Sequence, residues 1–353
     1  METVYVGVDF HAAQQTLCYL TTEDGQIHET KLEHRSDDLT HSQVRRFYEG
    51  FKDKRVIVGL EAGGYSQWFE DMLEEMGIEV WMGDSTRIRK LAVRKQKNDK
   101  LDAGHILDLM ITGRFPKLYR RSRKSSEVLR QIGYRHKLVK MRTMAINNLR
   151  AISLGCGLRI RVRLTSTRGQ LRLQQLKVSQ ATAKQIDELV VLINHLNKEI
   201  GRVEQWLEEQ AASDDRVTLL RRQKGVGLLT ALALVHTLEP VARFSNPRKV
   251  IAYVGLDPVE DSSGSRKRIG SISKQGSPLL RFLLGEAGQV VMKYDVELKR
   301  FYIRIKLRRN GAKAKVAVAR KLLVRCFIML RDNIDPDEFK RRGVEARSSR
   351  RNP

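Results

Sequence analysis

Cysteine is scarce in this sequence: Cys18, Cys156 and Cys326 are the only three in 353 residues. They are far apart and odd in number. That excludes a readable disulfide framework and a cysteine-based metal motif, and it points to a reducing compartment. Long apolar runs are missing as well. The best candidate, Leu228 to Leu238, is broken by Thr230 and His236 and falls short of a membrane span. No basic segment followed by an apolar core opens the chain, so no secretory signal is read. Acids are in deficit, with 41 Asp plus Glu against 66 Lys plus Arg and a net charge of +25. Such an excess repels itself in a compact fold unless an anionic partner is present. Nucleic acid is the simplest partner, because counterions released from phosphates drive the binding. A ribosomal-type binder fits that composition too. Hydrophobic residues make up 41%, enough for true cores, and the length suggests two or three domains.

The first segment alternates strands and helices. Residues 3–9, 16–22 and 27–32 read as strands, with Asp24-Gly25 as the turn between the second and third. A helix near 39–51, a strand at 55–60, a helix at 66–76 and a strand at 79–82 follow. That order is expected of a ribonuclease-H-like α/β domain over residues 1–115, closed by a helix carrying Asp99 and Asp102. A basic connector around Pro116 leads into a helical region, residues 116–215. There Ile186, Leu189, Ile193, Leu196, Ile200, Val203 and Leu207 recur by three and four, the seam of a coiled coil. This predicts a helical hairpin or a dimer seam. Gly155 to Arg172 reads as a basic loop. A composition shift at Ser213-Asp214-Asp215 opens a mostly helical third region, 216–338, and the basic tail 339–353 is expected to be disordered until it meets nucleic acid.

Four carboxylates carry the most chemical information. In a strand, alternate side chains share a face, so Tyr5, Gly7 and Asp9 oppose Val4, Val6 and Val8. The valines go to the core, and Gly7 is expected to leave room beside Asp9 for a metal or a substrate backbone. Glu61 ends the apolar run Val56 to Leu60, a pattern of buried central strands. Asp99 and Asp102 follow the N-cap candidate Asn98, and residues three apart share a helix face. Any one of these acids alone is better explained as a strand-end or helix-start acid, the latter favoured by the helix dipole. The set of four suggests an oxygen cage for Mg²⁺ or Mn²⁺, since no histidine or cysteine cluster accompanies it. His105, a turn further on, reads as a packing residue.

Two further stretches could meet phosphate. Lys224-Gly225-Val226-Gly227 before an apolar helix is similar to a helix-hairpin-helix turn, whose backbone N–H groups face phosphate; a plain glycine-rich helix junction fits nearly as well. The polar loop Gly255 to Arg268 sets Ser262, Ser263 and Ser265 beside Arg266, Lys267 and Arg268, with Lys274 beyond. A serine hydroxyl needs a base or a metal to become a nucleophile, and no histidine stands in the loop. On composition alone it reads as a phosphate-contacting loop.

Together these residues resemble the DEDD transposases of bacterial insertion sequences, the bridge-RNA-guided recombinases, with Piv-type invertases as relatives. The resemblance rests on Gly7-Val8-Asp9, Leu60-Glu61-Ala62-Gly63-Gly64-Tyr65, Lys97-Asn98-Asp99-Lys100-Leu101-Asp102-Ala103, Gly225-Val226-Gly227, Tyr253 to Pro258, Ser263-Gly264-Ser265 and Ser273-Lys274-Gln275-Gly276. It implies an N-terminal RuvC-like domain binding Mg²⁺ through Asp9, Glu61, Asp99 and Asp102, a coiled-coil helical insertion, and a C-terminal transposase domain with a nucleophilic serine at Ser263, Ser262 being the competing assignment. It also implies a composite centre between subunits, a phosphoserine-linked DNA strand, a noncoding guide RNA, a tetramer joined by coiled coils, and a bacterial cytoplasmic, nucleoid-associated location without a membrane anchor. Lys224 and Asn98 depart from the family pattern, the first adding a charge to the turn, the second keeping a cap. The leading expectation is an RNA-guided DNA transposase or recombinase. The alternatives are a RuvC-like nuclease or invertase without a serine nucleophile, and a non-catalytic nucleic-acid-binding protein.

Overall fold

The structure, a computed structural model, describes residues 2–23, 25–91, 99–159, 161–162, 164–260 and 269–348. It divides into two compact units, Met1–Arg120 and Arg121–Pro353. The division falls five residues past the 115 expected for the first boundary, and the helical and C-terminal regions expected to part at 215 lie together in the second unit. Residues 121–353 form a single unit because the long helices share a core with the C-terminal ones.

The first unit is built on five strands: β1 (Thr3–Phe10), β2 (Gln14–Thr21), β3 (Ile27–Glu33), β4 (Arg55–Glu61) and β5 (Glu79–Gly83), in the order β3-β2-β1-β4-β5. β1, β2 and β3 form an antiparallel meander, and β4 and β5 add in parallel to β1. The expected strands are present with bounds shifted by one or two residues. Gly25 takes φ +65° at the β2–β3 turn, while Asp24 lies outside the described residues. The helices α1 (Ser42–Glu49), α2 (Gln67–Glu75), α3 (Ser85–Leu91) and α4 (Asp99–Ile111) complete the unit. Val4, Val6 and Val8 are fully buried on one face with Tyr48, Phe69 and Leu73 from α1 and α2.

The opposite face carries α4, and this corrects the reading of Gly7. A Cβ at Gly7 would stand 2.5 Å from the Ala103 carbonyl oxygen and 2.6 Å from the Leu107 nitrogen. The space beside Gly7 is taken by a helix backbone. Gly59, its register partner on β4, does the same for the Met110 side chain, whose sulfur would lie 2.2 Å from an added Cβ. Two glycines side by side thus let α4 settle onto the sheet.

In the second unit, α5 (Arg123–Gly155) and α7 (Gln180–Ala212) are 33 residues each, about 50 Å long at 1.5 Å per residue. Ser122 and Ser179 cap them, accepting from the Ser125 and Thr182 N–H groups. The two helices run antiparallel. Val128 and Ile132 cluster with Leu207 and Ala211, Leu138 with Leu196 and Ile200, and Ala145 and Leu149 with Ile186 and Ile193. The heptad seam is thereby satisfied inside one chain as a hairpin, and it gives no support to a dimer through the same residues. The expected loop 155–172 contains the start of α6 (Thr167–Gln174), capped by Ser166.

The C-terminal core is arranged around α9 (Leu228–Leu238), whose residues 230–238 are all buried. A helix apolar on every side belongs inside a domain. Around it lie α8 (Asp215–Arg221), α10 (Pro247–Val254), α11 (Pro278–Val291), α12 (Val296–Arg308) and α13 (Gly311–Asp332), with a short hairpin of β6 (Pro258–Glu260) and β7 (Ile269–Ile272). The tail expected to be disordered is helical as far as it is described: α14 spans Pro336–Ser348. Glu338 pairs with Arg341 and Arg342, and Glu345 with Arg341, so spaced opposite charges support a helix that apolar content did not announce. Among the described residues no helix is long and apolar enough to cross a membrane.

Candidate active site

Asp9 and Glu61 emerge at the same level of two neighbouring parallel strands. The register runs Gly7↔Gly59 and Val8↔Leu60, so the two acids come next, on strands about 4.8 Å apart. Both lie on the face that α4 covers. Because Ala103 and Leu107 pack over Gly7, while Met110 packs over Gly59 and clusters with Ile57, α4 begins at the end of the sheet where these acids emerge. Asp102, one residue before Ala103, is exposed there. Asp99 is the first residue of α4; its side chain, and the whole of Lys97 and Asn98, lie outside the described residues.

The electrostatics agree with that convergence. Burial pushes the Glu61 carboxyl above its ordinary value, the charges of Asp9 and Asp102 push it the same way, and Arg89 and the Ser85 hydroxyl oppose them. Three acids on separate elements therefore feel one another, which a divalent cation would relieve. The donors are hard carboxylate oxygens of the kind Mg²⁺ and Mn²⁺ prefer. Among the described residues no three His, Cys, Asp or Glu side chains stand close enough to hold one ion. The fit is thus one of chemistry and placement, with the fourth acid's side chain not described.

Two residues at this site escaped the sequence reading. His11 sets Nε2 3.1 Å from Asp9 Oδ2 and is half exposed. It follows Asp9 by two residues, just past the end of β1, so a local contact with that acid was readable from the spacing. Arg89 stands on α3, which follows β5 directly; the run Arg87-Ile88-Arg89-Lys90 hinted at a basic element, but only the fold brings it beside Glu61. His105 bonds the Ile88 carbonyl at 3.1 Å, in keeping with the packing role expected of it.

In the second unit, Gly225 takes φ +91°, and an added Cβ would stand 2.8 Å from both the Ala287 carbonyl oxygen and the Val291 nitrogen. Close packing against α11 explains this glycine without a phosphate, as the helix-junction reading has it. Gly227 is the N-cap of α9 and Lys224 is exposed beside it. Ser262, Ser263, Arg266, Lys267 and Arg268 lie outside the described residues, but the root of their loop is well defined. Gly255 and Gly276, both at φ +74°, press against the backbones of Gln275 and Tyr253. Arg281 donates to the carbonyls of Val254, Gln275 and Gly276, and Arg320 to that of Leu256. Ser273 donates to Asp257 at 2.5 Å. Lys274 is exposed, with φ +57°.

Acids at one end of the sheet in the first unit and a clamped hairpin root in the second, on a chain of net charge +25, suit chemistry on nucleic acid. Comparison with known proteins identifies the class as transposases. Residues 6–154 match a family model described as "Transposase", of the DEDD, IS110 type, and residues 217–303 match "Transposase IS116/IS110/IS902 family". The chain belongs to this IS110/IS116 family of DEDD transposases, enzymes that cut and rejoin DNA. It is similar to the transposase for insertion sequence element IS1111A of Coxiella burnetii, 26% identical over 75% of this chain and 74% of that protein. It is also similar to a probable family 20 transposase of Pseudomonas aeruginosa, 26% identical over 72% of this chain and 76% of the other. The transposase for insertion sequence element IS1328 of Yersinia enterocolitica is 24% identical over 67% of this chain and 71% of its own length.

Proposed function

We propose that this transposase is an RNA-guided DNA recombinase whose strand exchange uses Asp9, Glu61, Asp99 and Asp102 together with Ser263. The observation that carries the reading is the meeting of Asp9, Glu61 and the start of α4 at one end of a five-stranded sheet. The order of strands and helices agrees with a RuvC-like domain. The four acids would hold Mg²⁺ or Mn²⁺, and an ion bound there supplies Lewis-acid polarisation of a phosphoryl oxygen. His11 orients the Asp9 carboxylate through its ring nitrogen. Arg89 offsets part of the negative charge around Glu61 and offers a cation to an approaching phosphate. Ser263 attacks the scissile phosphorus: the serine Oγ–P bond forms, the bond from phosphorus to the DNA 3′ oxygen breaks, and that oxygen takes up a proton. Lys224, Gly227, Arg266, Lys267, Arg268 and Lys274 contact the DNA backbone, while Gly225 shapes the turn at Lys224 by packing on α11. A noncoding RNA supplies sequence recognition of donor and target, and two or four chains assemble the composite centre.

Trapping tests the chemistry. Denaturing gels of reactions on labelled element ends should reveal a covalent protein–DNA band that Ser263→Ala abolishes and Ser262→Ala keeps. Free ends released at normal rate by Ser263→Ala would favour a RuvC-like nuclease or an invertase-type mechanism without a serine nucleophile. Sequencing RNA that copurifies with the protein from its native cell tests the guide; an unselective RNA population would remove it.

A further inference from the structure

The stretch from Leu298 to Arg331 contains no Asp or Glu at all. Between Lys299 and Lys315 it carries eight cations, Lys299, Arg300, Arg304, Lys306, Arg308, Arg309, Lys313 and Lys315, all exposed. No ion pair joins any of them to an acid among the described residues. Most of them stand on α12, which has one acid, Glu297, in its first turn. Self-repulsion of this density works against the compact state and is relieved where an anionic partner is met.

The faces of α12 are sorted by 3.6-residue periodicity. Leu298 is buried, and Phe301, Tyr302 and Ile305 are partly covered, so this side packs on the core. The opposite side carries an apolar ridge of Val296, Ile303 and Leu307, which are 62%, 45% and 82% exposed, with Arg300 between them. Arg304 and Arg308 flank the ridge on one side, Lys299 and Lys306 on the other. An apolar ridge with cations along both edges is not a plain solvated face.

Resting on the proposal that the enzyme joins DNA, we infer that α12 enters the major groove of duplex DNA. The groove is about 12 Å wide and accepts a helix about 10–12 Å across. The ridge then faces the floor, where thymine methyls offer apolar contact and guanine offers Arg300 two acceptors. The flanking cations reach the phosphates of the two groove walls. A-form RNA, whose major groove is deep and narrow, excludes the same helix. Two features hold α12 for this. Asp295 caps it, accepting from the Leu298 N–H at 2.9 Å, and Arg325 fixes Asp295 from the core at 2.7 Å.

Fluorescence anisotropy with the full chain tests this, using a mixed-sequence DNA duplex and the RNA duplex of the same sequence over a range of salt. In the variant Lys299→Gln/Arg304→Gln/Lys306→Gln/Arg308→Gln, the log–log salt slope on DNA should become shallower by about 0.9 for each phosphate no longer neutralised, roughly 3–4 in all. Binding to the RNA duplex should change far less. Leu307→Asp, at a position too exposed to disturb folding, should weaken DNA binding by about tenfold or more. An unchanged slope in the fourfold variant overturns the inference, as does an equal loss on both duplexes. So does a Leu307→Asp chain that binds DNA normally but loses self-association in sedimentation. The outcomes separate from those of the catalytic reading, because Ser263→Ala should lose the covalent band while keeping this salt slope.

Discussion

Gly7 and Gly59 look equivalent in sequence, each sitting two residues before a carboxylate, yet they should respond differently to substitution. Gly7→Ala drives a methyl into the backbone of α4, which can yield only by moving the helix that presents Asp102. Gly59→Ala meets the Met110 side chain, which is flexible and can turn aside. Urea denaturation should show Gly7→Ala less stable by about 1–3 kcal/mol and Gly59→Ala by clearly less. Equal costs would mean that α4 does not rest on Gly7. A second residue-scale prediction concerns His236, which is buried with Nδ1 2.8 Å from the Ser125 hydroxyl. Burial holds its pKa below the ordinary value, against the pull of Glu239 and Asp214. The folded state therefore favours the neutral ring. The resulting stability is present above the unfolded pKa of about 6.5 and is lost as pH falls through the lower folded value. Melting temperature should drop across that interval, and His236→Gln should flatten the drop; an unaltered profile would assign the acid sensitivity elsewhere. Asp9 and Glu61 were legible in the sequence because period-two alternation and an apolar run mark strand faces and ends. Arg89 was not, because its relevance arises only when α3 and β4 meet.

Among elements, α12 depends most on a single anchor. Asp295 both caps the helix and pairs with Arg325, whose side chain is almost fully buried. Burial alone would raise the Asp295 carboxyl, but the Leu298 N–H and the Arg325 guanidinium outweigh it and hold it below its usual range. Its contribution is therefore present above about pH 3.9 and lost as pH falls below that value. Asp295→Asn keeps an acceptor for the cap and removes the charge, leaving Arg325 buried without a carboxylate at a cost of about 3–5 kcal/mol. Asp295→Ala removes the cap as well, for about 1 kcal/mol more. Chemical denaturation should rank the two in that order, and an Asn variant as stable as the parent would show that the pair contributes nothing. The elements that sequence resolved well were those with a strong period: the meander of β1 to β3, and the seam of α7. What periodicity could not decide was the partner of that seam, since heptads specify a mate and not whose chain provides it. The tail helix α14 was missed for a related reason, because its stability comes from charge spacing rather than from an apolar stripe.

At the scale of the molecule, composition shifts in the sequence suggest one set of divisions, while shared cores in the structure impose another. The two units also separate two kinds of electrostatics. Residues 1–120 hold 17 Lys and Arg against 20 Asp and Glu, and residues 121–353 hold 49 against 21, so the excess of +25 that attracts DNA belongs to the second unit and the acids at the end of β1 and β4 stand in a unit without it. Removing one of them should therefore act oppositely on binding and on chemistry. Asp9→Asn deletes a negative charge, so affinity for a DNA duplex should hold or rise slightly, with the salt slope of the parent, since every phosphate-binding cation is kept. Strand cleavage should fall by orders of magnitude, and Mn²⁺ uptake measured by electron paramagnetic resonance should fall with it, because the site loses a charged oxygen donor. Glu61→Gln should behave alike and also melt higher in the absence of metal, because burial and the neighbouring acids disfavour the charged Glu61. The contrary result is equally concrete. If Asp9→Asn and Glu61→Gln bind Mn²⁺ as the parent does and still cleave DNA, the acids at the sheet end are structural, and the chemistry of this transposase must be sought in the second unit.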